Sequence, residues 1–225
     1  MPGEIKHKRR GYHHGNLRAA LIAATLRAIA EDGVAGFTLR DVARRAGVSP
    51  AAPYRHFKDK EELLTAVATE CMSRLDEEVA AAVAEALPDP LEQFRANGIA
   101  YVRFAAANPE LFRALTIPGL FELLPPEQRA RQQQQEADQR AAVAAAQAAG
   151  SISPLPIDEV MLAARSIVHG LAHQIVEGQL GAVDAARATE LAVAVTGVIG
   201  IGLYPRKSGI PDDVTRRTGA HRRRR

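Results

Sequence analysis

Cysteine is almost absent from this chain: Cys71 is the only one. No disulfide framework can form, which excludes a small secreted scaffold and suits a reducing cytoplasm. No apolar run approaches the ~20 residues of a membrane span. The segment MPGEIKHKRRGYHHGN is basic, but no apolar stretch with a cleavage site comes after it, so it is not expected to act as a signal peptide. Phosphate-cradling glycine loops and Cys/His zinc clusters are missing. No nucleophile, base and orienting group stand at recognisable spacing, so neither catalysis nor a cofactor is expected.

Lysine also disappears between residues 61 and 205. That stretch holds 9 Arg against 19 Asp/Glu, whereas residues 1–60 hold 12 Lys/Arg against 5 acids and residues 206–225 hold 8 against 2. The net charge of +3 therefore conceals a basic N-terminal part on an acidic body. Such a split points the first part at a polyanion, although a solvated charged face would look the same.

Apolar residues recur at helical spacing through most of the chain, and β-branched alternation is scarce. The pattern predicts an all-α protein of about nine helices. They run over 15–32, 39–46, 50–56, 60–86, 91–107, 109–117, 126–149, 157–178 and 183–203. Four regions result: a basic flexible arm (1–11, with Lys6, Lys8, Arg9 and Arg10), a helix-turn-helix domain (12–59), a helical body (60–205) and a disordered basic tail (206–225).

The segment FTLRDVARRAGVSPAAPYRHFKDKEE (37–62) carries the chemistry. Thr38 can cap a helix with Asp41 three residues on, a variant of the capping box. Leu39, Val42, Ala43 and Ala46 make one apolar face. Gly47 supplies the positive φ of a sharp turn, and Val48 can plug the angle between two helices. Ser49 caps the next helix, Pro50 suits its first position, and Asp59 with Glu62 caps a third. Pro53 removes one backbone donor near that helix start. Two short helices around a glycine match a helix-turn-helix, whose second helix enters the major groove. Arg40, Arg44, Arg45, Arg55, Lys58 and Lys60 surround the unit. Thr38, Ser49, Tyr54 and Lys60 suit phosphates, while Ala51 and Ala52 are small enough to approach thymine methyls.

TLRDVARRAGVS followed by YRHFKDKEELL resembles the helix-turn-helix signature of TetR/AcrR-type regulators, and the likeness extends from Tyr12 to about Val67. The resemblance implies a three-helix DNA-binding domain, a longer fourth helix, a variable body and a homodimer formed by the last two helices. It places Thr38, Arg40, Ser49, Ala51, Ala52, Tyr54, His56 and Lys60 where the family meets DNA. Pro53 stands where Leu is usual. SIVHGLAHQIVEG (Ser166–Gly178) is similar to a branch with a Trp-His-Gly motif, with Val168 in place of Trp.

The body has enough helices to close a pocket. Candidate ligand residues are aromatic: Phe94, Tyr101, Phe104, Phe112 and Phe121. Phe94, Tyr101 and Phe104 share one helix face, which serves equally well as plain core. His169 and His173 are added as pocket or interface groups. With Glu177 they repeat every four residues, as metal ligands can, but no HExxH accompanies them and no metal is assigned. The last helix is apolar nearly all round, through Leu191, Val195, Val198 and Gly202, and suits a dimer interface over 157–178 and 183–203.

The expectation is a cytoplasmic repressor released from a palindromic double-stranded operator by a small-molecule effector. A ligand-independent architectural DNA-binding protein stays open beside it, as does a helical enzyme with a basic head.

Overall fold

A computed structural model describes residues 17–201; the basic arm, the basic tail and the far end of the last predicted helix lie outside these residues. Eight α-helices occur among the described residues, with no strand: α1 (Leu17–Asp32), α2 (Leu39–Arg45), α3 (Lys60–Glu85), α4 (Pro90–Ala107), α5 (Pro109–Leu115), α6 (Pro126–Ala148), α7 (Ile157–Val176) and α8 (Ala185–Ile201). Two 3-10 turns, Pro53–Arg55 and Phe121–Leu123, complete the order. None of these helices is long and apolar enough to cross a membrane.

The chain divides into two compact units. The first comprises residues up to Ser73 together with Glu110–Arg129. Its α1 buries Leu21, Ala24 and Ala28, its α2 buries Val42 and Ala43, and its part of α3 buries Leu63 and Val67. Thr25 is buried among these apolar groups, and its hydroxyl donates to the Leu21 carbonyl at 2.8 Å, so its burial leaves no orphan donor. In the same unit the Gln128 side-chain amide donates to the Ser73 hydroxyl at 3.1 Å and ties the start of α6 to α3.

The second unit comprises Arg74–Pro109 and the chain from Ala130 onward. Asp89 caps α4 by accepting from the Leu91 and Glu92 amides, with Pro90 at the first helical position. This helix packs against both α7 and α8. Close approach is possible because Gly98 faces them: a Cβ there would stand 3.1 Å from Val168 Cγ1. Gly98→Val is therefore expected to overpack the three helices and cost about 1–3 kcal/mol in a urea melt. An unchanged midpoint would mean that the helices are more loosely packed than this. Leu162 on α7 and Val193 and Val198 on α8 are exposed at 67%, 41% and 54%.

Candidate functional site

The helix-turn-helix segment begins with α2. The Thr38 hydroxyl accepts from the Asp41 amide at 3.3 Å, and Asp41 Oδ2 accepts from the Thr38 amide at 3.0 Å, which completes a capping box. The Thr38 hydroxyl also donates to Asp41 Oδ2 at 2.7 Å; that bond first, then the Thr38 amide and Arg44, hold the Asp41 carboxyl below its ordinary value. At the other end the Val48 amide donates to the Ala43 carbonyl and the Gly47 amide to that of Arg44. With Gly47 at φ +70° this is a Schellman turn, and it stops the helix after barely two turns. Val48 is half-buried at the bend.

The chain past Val48 departs from the helix expected over 50–56. It makes successive i→i−3 bonds instead: Ala52 amide to Ser49 carbonyl, Arg55 to Ala52 and His56 to Pro53. Only Pro53–Arg55 is helical, as a 3-10 turn. Pro53 is the cause. It has no N–H to give the Ser49 carbonyl four residues back, and in an α-helix its ring would crowd that carbonyl. Ser49 is correspondingly not a side-chain cap; the turn starts at Ala52 without one. Buried Pro53 and Phe57 anchor the turn, and α3 then starts with Asp59 accepting from the Glu62 amide at 2.9 Å.

The side chains expected at DNA separate into two groups. Thr38, Arg40, Ser49, Ala51, Tyr54, Arg55, His56 and Lys58 are exposed, and Ala52 is half-buried. No ion pair engages the side chains of Arg40, Arg55 or Lys58 among the described residues. Other cations of the segment are used internally. Arg45 pairs with Glu31 and Asp32 and fastens α2 to the end of α1. Arg44 pairs with Asp41 at 3.3 Å. Lys60 Nζ donates to the Phe37 carbonyl at 2.7 Å and lies 4.2 Å from the centre of the Phe37 ring. The contacts of Arg45 and Lys60 join residues far apart in sequence, and nothing in local spacing announces them.

The body holds an open groove of about 590 Å³, lined by the second half of α3, the start of α4 and the middle of α6. Of the seven candidate ligand residues Phe94, Tyr101, Phe104, Phe112, Phe121, His169 and His173, only Phe94 lines it. Phe104 and Phe112 are core residues at 2% and 1% exposure. Tyr101 turns to α7, where its hydroxyl lies 2.9 Å from His169 Nδ1. Phe121 and His173 are exposed. Sequence reasoning missed Asp76, Gln93, Asn97, Gln135, Asp138 and Gln139, the polar lining of the groove. The signal available was weak: Val79 and Val83 share a face of α3, opposite an alanine-rich stretch of α6.

Burial pushes the Tyr101 phenol up to about 12, so it stays protonated and can donate to a neutral His169 ring. Burial, and then the nearby His173, lower His169 below its ordinary 6.5. The unfolded chain therefore takes up this proton first as pH falls. Stability should be intact above 6.5 and decline below it, down through the lowered folded value. Urea midpoints on both sides of that value, for wild type and His169→Gln, check this; an equal decline in both proteins would assign the effect elsewhere. Among the described residues, no three His, Cys, Asp or Glu draw together as metal ligands.

A capped helix, a Schellman turn and an exposed cationic rim, continued by a bundle of helices, define a helix-turn-helix protein with an all-α body. Residues 21–67 match the family described as bacterial regulatory proteins, tetR family, and residues 94–196 match the tetracyclin repressor-like C-terminal domain. The chain belongs to the TetR family of bacterial regulatory proteins. It is 43% identical over 72 residues to the HTH-type transcriptional regulator BetI of Rhizobium meliloti (strain 1021), covering 32% of this chain and 36% of that one. It thus spans little more than a third of the length of that curated relative. Two solved structures are similar over far more. One is a protein with unknown function from Rhodococcus sp. RHA1, at 34% identity and TM-score 0.59, covering 84% of this chain and 99% of that one. The other is a TetR family transcription regulator from Marinobacter aquaeolei VT8, at 25% identity and TM-score 0.62, covering 79% and 94%.

Proposed function

We propose that this protein is a cytoplasmic, non-catalytic transcriptional repressor, and that a small molecule bound in its body releases it from a palindromic operator. The observation that carries the reading is the exposed set Arg40, Arg55 and Lys58 around the Gly47 turn, without ion pairs among the described residues, on a head whose Arg44 and Arg45 are tied internally. In this reading the head (12–59) sits in the major groove. Ala51, Ala52, Tyr54, Arg55 and His56 approach the bases and backbone; Thr38, Arg40, Ser49 and Lys58 hold phosphates. Lys60 keeps donors to spare for a phosphate beyond the one it gives Phe37.

The exposed Leu162, Val193 and Val198 support dimerisation through α7 and α8, since apolar side chains on adjacent helices gain by being covered. Two heads on a two-fold axis would then meet half-sites one helical turn apart. A path from groove to dimer face runs through α4. Phe94 and Asn97 line the groove, while neighbouring Arg95 donates to Thr196 Oγ1 at 3.2 Å and to the Val193 carbonyl at 3.3 Å on α8. An occupant that displaces α4 would thus bear on the helix that sets head spacing. It must bind the two arrangements with different affinity to shift them.

The test is fluorescence anisotropy of the full chain with duplex from its own promoter region. A saturable complex that weakens steeply with salt is the expected result. Absence of such a complex would sink the repressor reading.

A further inference from the structure

We propose that the groove between α3, α4 and α6 takes a hydrophobic organic cation, a protonated amine or quaternary ammonium on an apolar body. This names the ligand class for the effector reading above and rests on that reading only for its effect on DNA. The groove itself, at about 590 Å³, has the size of small-molecule sites, about 300–1,000 Å³. Two carboxylates line it, Asp76 and Asp138, and no lysine, arginine or histidine does.

Among the described residues, neither of these two acids is neutralised by an ion pair. Elsewhere in the same unit Glu78 meets Arg103 at 2.6 Å, Glu136 meets Arg165 at 3.5 Å, and Asp158 meets Arg140. Asp76 and Asp138 have no such cation among the described residues. Asp76 Oδ1 accepts from the Gln132 side-chain amide at 2.9 Å and from that of Gln135 at 3.4 Å. Asp138 Oδ1 accepts from Gln134 at 2.9 Å. Neutral amides fix the position of a carboxylate without cancelling its charge. Two uncancelled charges, one from α3 and one from α6, repel an anion and leave a neutral guest no means of compensating them. Phe94 adds an aromatic face, which favours a cation further. Val79, Val83 and Ala142 give the apolar part of the guest its surface.

The experiment titrates the full chain with three guests of one shape and different charge: naphthylmethylammonium, naphthylmethanol and naphthoate, monitored by calorimetry. The ammonium should bind at least about tenfold more tightly than the alcohol, and naphthoate least. Asp76→Asn and Asp138→Asn should each weaken the ammonium by about threefold to tenfold, and the double variant should bind ammonium and alcohol alike. Both changes keep the acceptor for the neighbouring glutamine, so the thermal midpoint should hold. Phe94→Leu, which keeps an apolar wall, should weaken the ammonium more than the alcohol. Equal affinity for all three guests in wild type would overturn the proposal, and so would tighter binding of naphthoate, no binding at all, or a cation preference that survives in the double variant. DNA release is read separately. Ammonium binding that leaves the DNA complex intact supports the cation site and refutes only its effector role. Release by naphthoate instead refutes the cation site and leaves the repressor standing.

Discussion

Phe57→Ala should lower stability by about 3–5 kcal/mol, the range for removing a buried phenylalanine. Phe57 is 2% exposed and is among the largest fully buried side chains. Its amide donates to the Pro53 carbonyl at 2.9 Å, so the ring is anchored directly behind the 3-10 turn. The guanidinium of Arg18 on α1 lies 5.6 Å from the ring centre and gains a cation–π contact as well. Alanine would leave a cavity under the turn and loosen the backbone that presents Ala51 to His56. Denaturant melts of wild type, Phe57→Ala and Phe57→Leu measure the effect, with leucine costing less because it refills part of the space. A loss below about 1 kcal/mol for alanine would mean that the ring is not packed as described.

Replacing Arg40, Arg55 and Lys58 together by alanine should abolish tight DNA binding without unfolding the head. These side chains are exposed and make no ion pair among the described residues, so the folded state loses little by their removal. On DNA each neutralised phosphate contributes about 0.9 to the slope of log affinity against log salt, so three lost contacts should take about 2–3 from that slope per head. Lys60→Ala is the contrasting case. Its ammonium holds the Phe37 carbonyl across the head, so the variant should first lose stability. A triple variant with the wild-type slope would remove these residues from the phosphate interface.

The head was legible in the sequence where its determinants are local. Thr38 with Asp41, Gly47 with Val48, and Asp59 with Glu62 each act over a few residues, and each makes the bonds its spacing implied. The same local reasoning extends a helix over 50–56, because one missing donor near a helix start is a small local loss. The proline instead converts the whole segment to i→i−3 bonding. Local spacing does not reveal the internal bonds of Arg45 and Lys60, because their partners, Glu31, Asp32 and Phe37, lie 13 to 23 residues away. The groove was the least legible part. Its walls come from three helices, so no single periodicity marks it, and the aromatic stripe on α4 led to one lining residue and two groups of a different kind. Phe104 belongs to the core, and Tyr101 belongs to His169.

The brevity of the Pro53–Arg55 turn has an evolutionary corollary. Pro53 and Phe57 root it in the interior, while Ala51, Tyr54, Arg55 and His56 are exposed and Ala52 is half-buried. Positions 51, 52, 54, 55 and 56 can therefore be exchanged almost as type in a fixed frame. If these positions read the operator as proposed, new operators would be reachable by a handful of codon changes, with no repacking of the interior to accompany them.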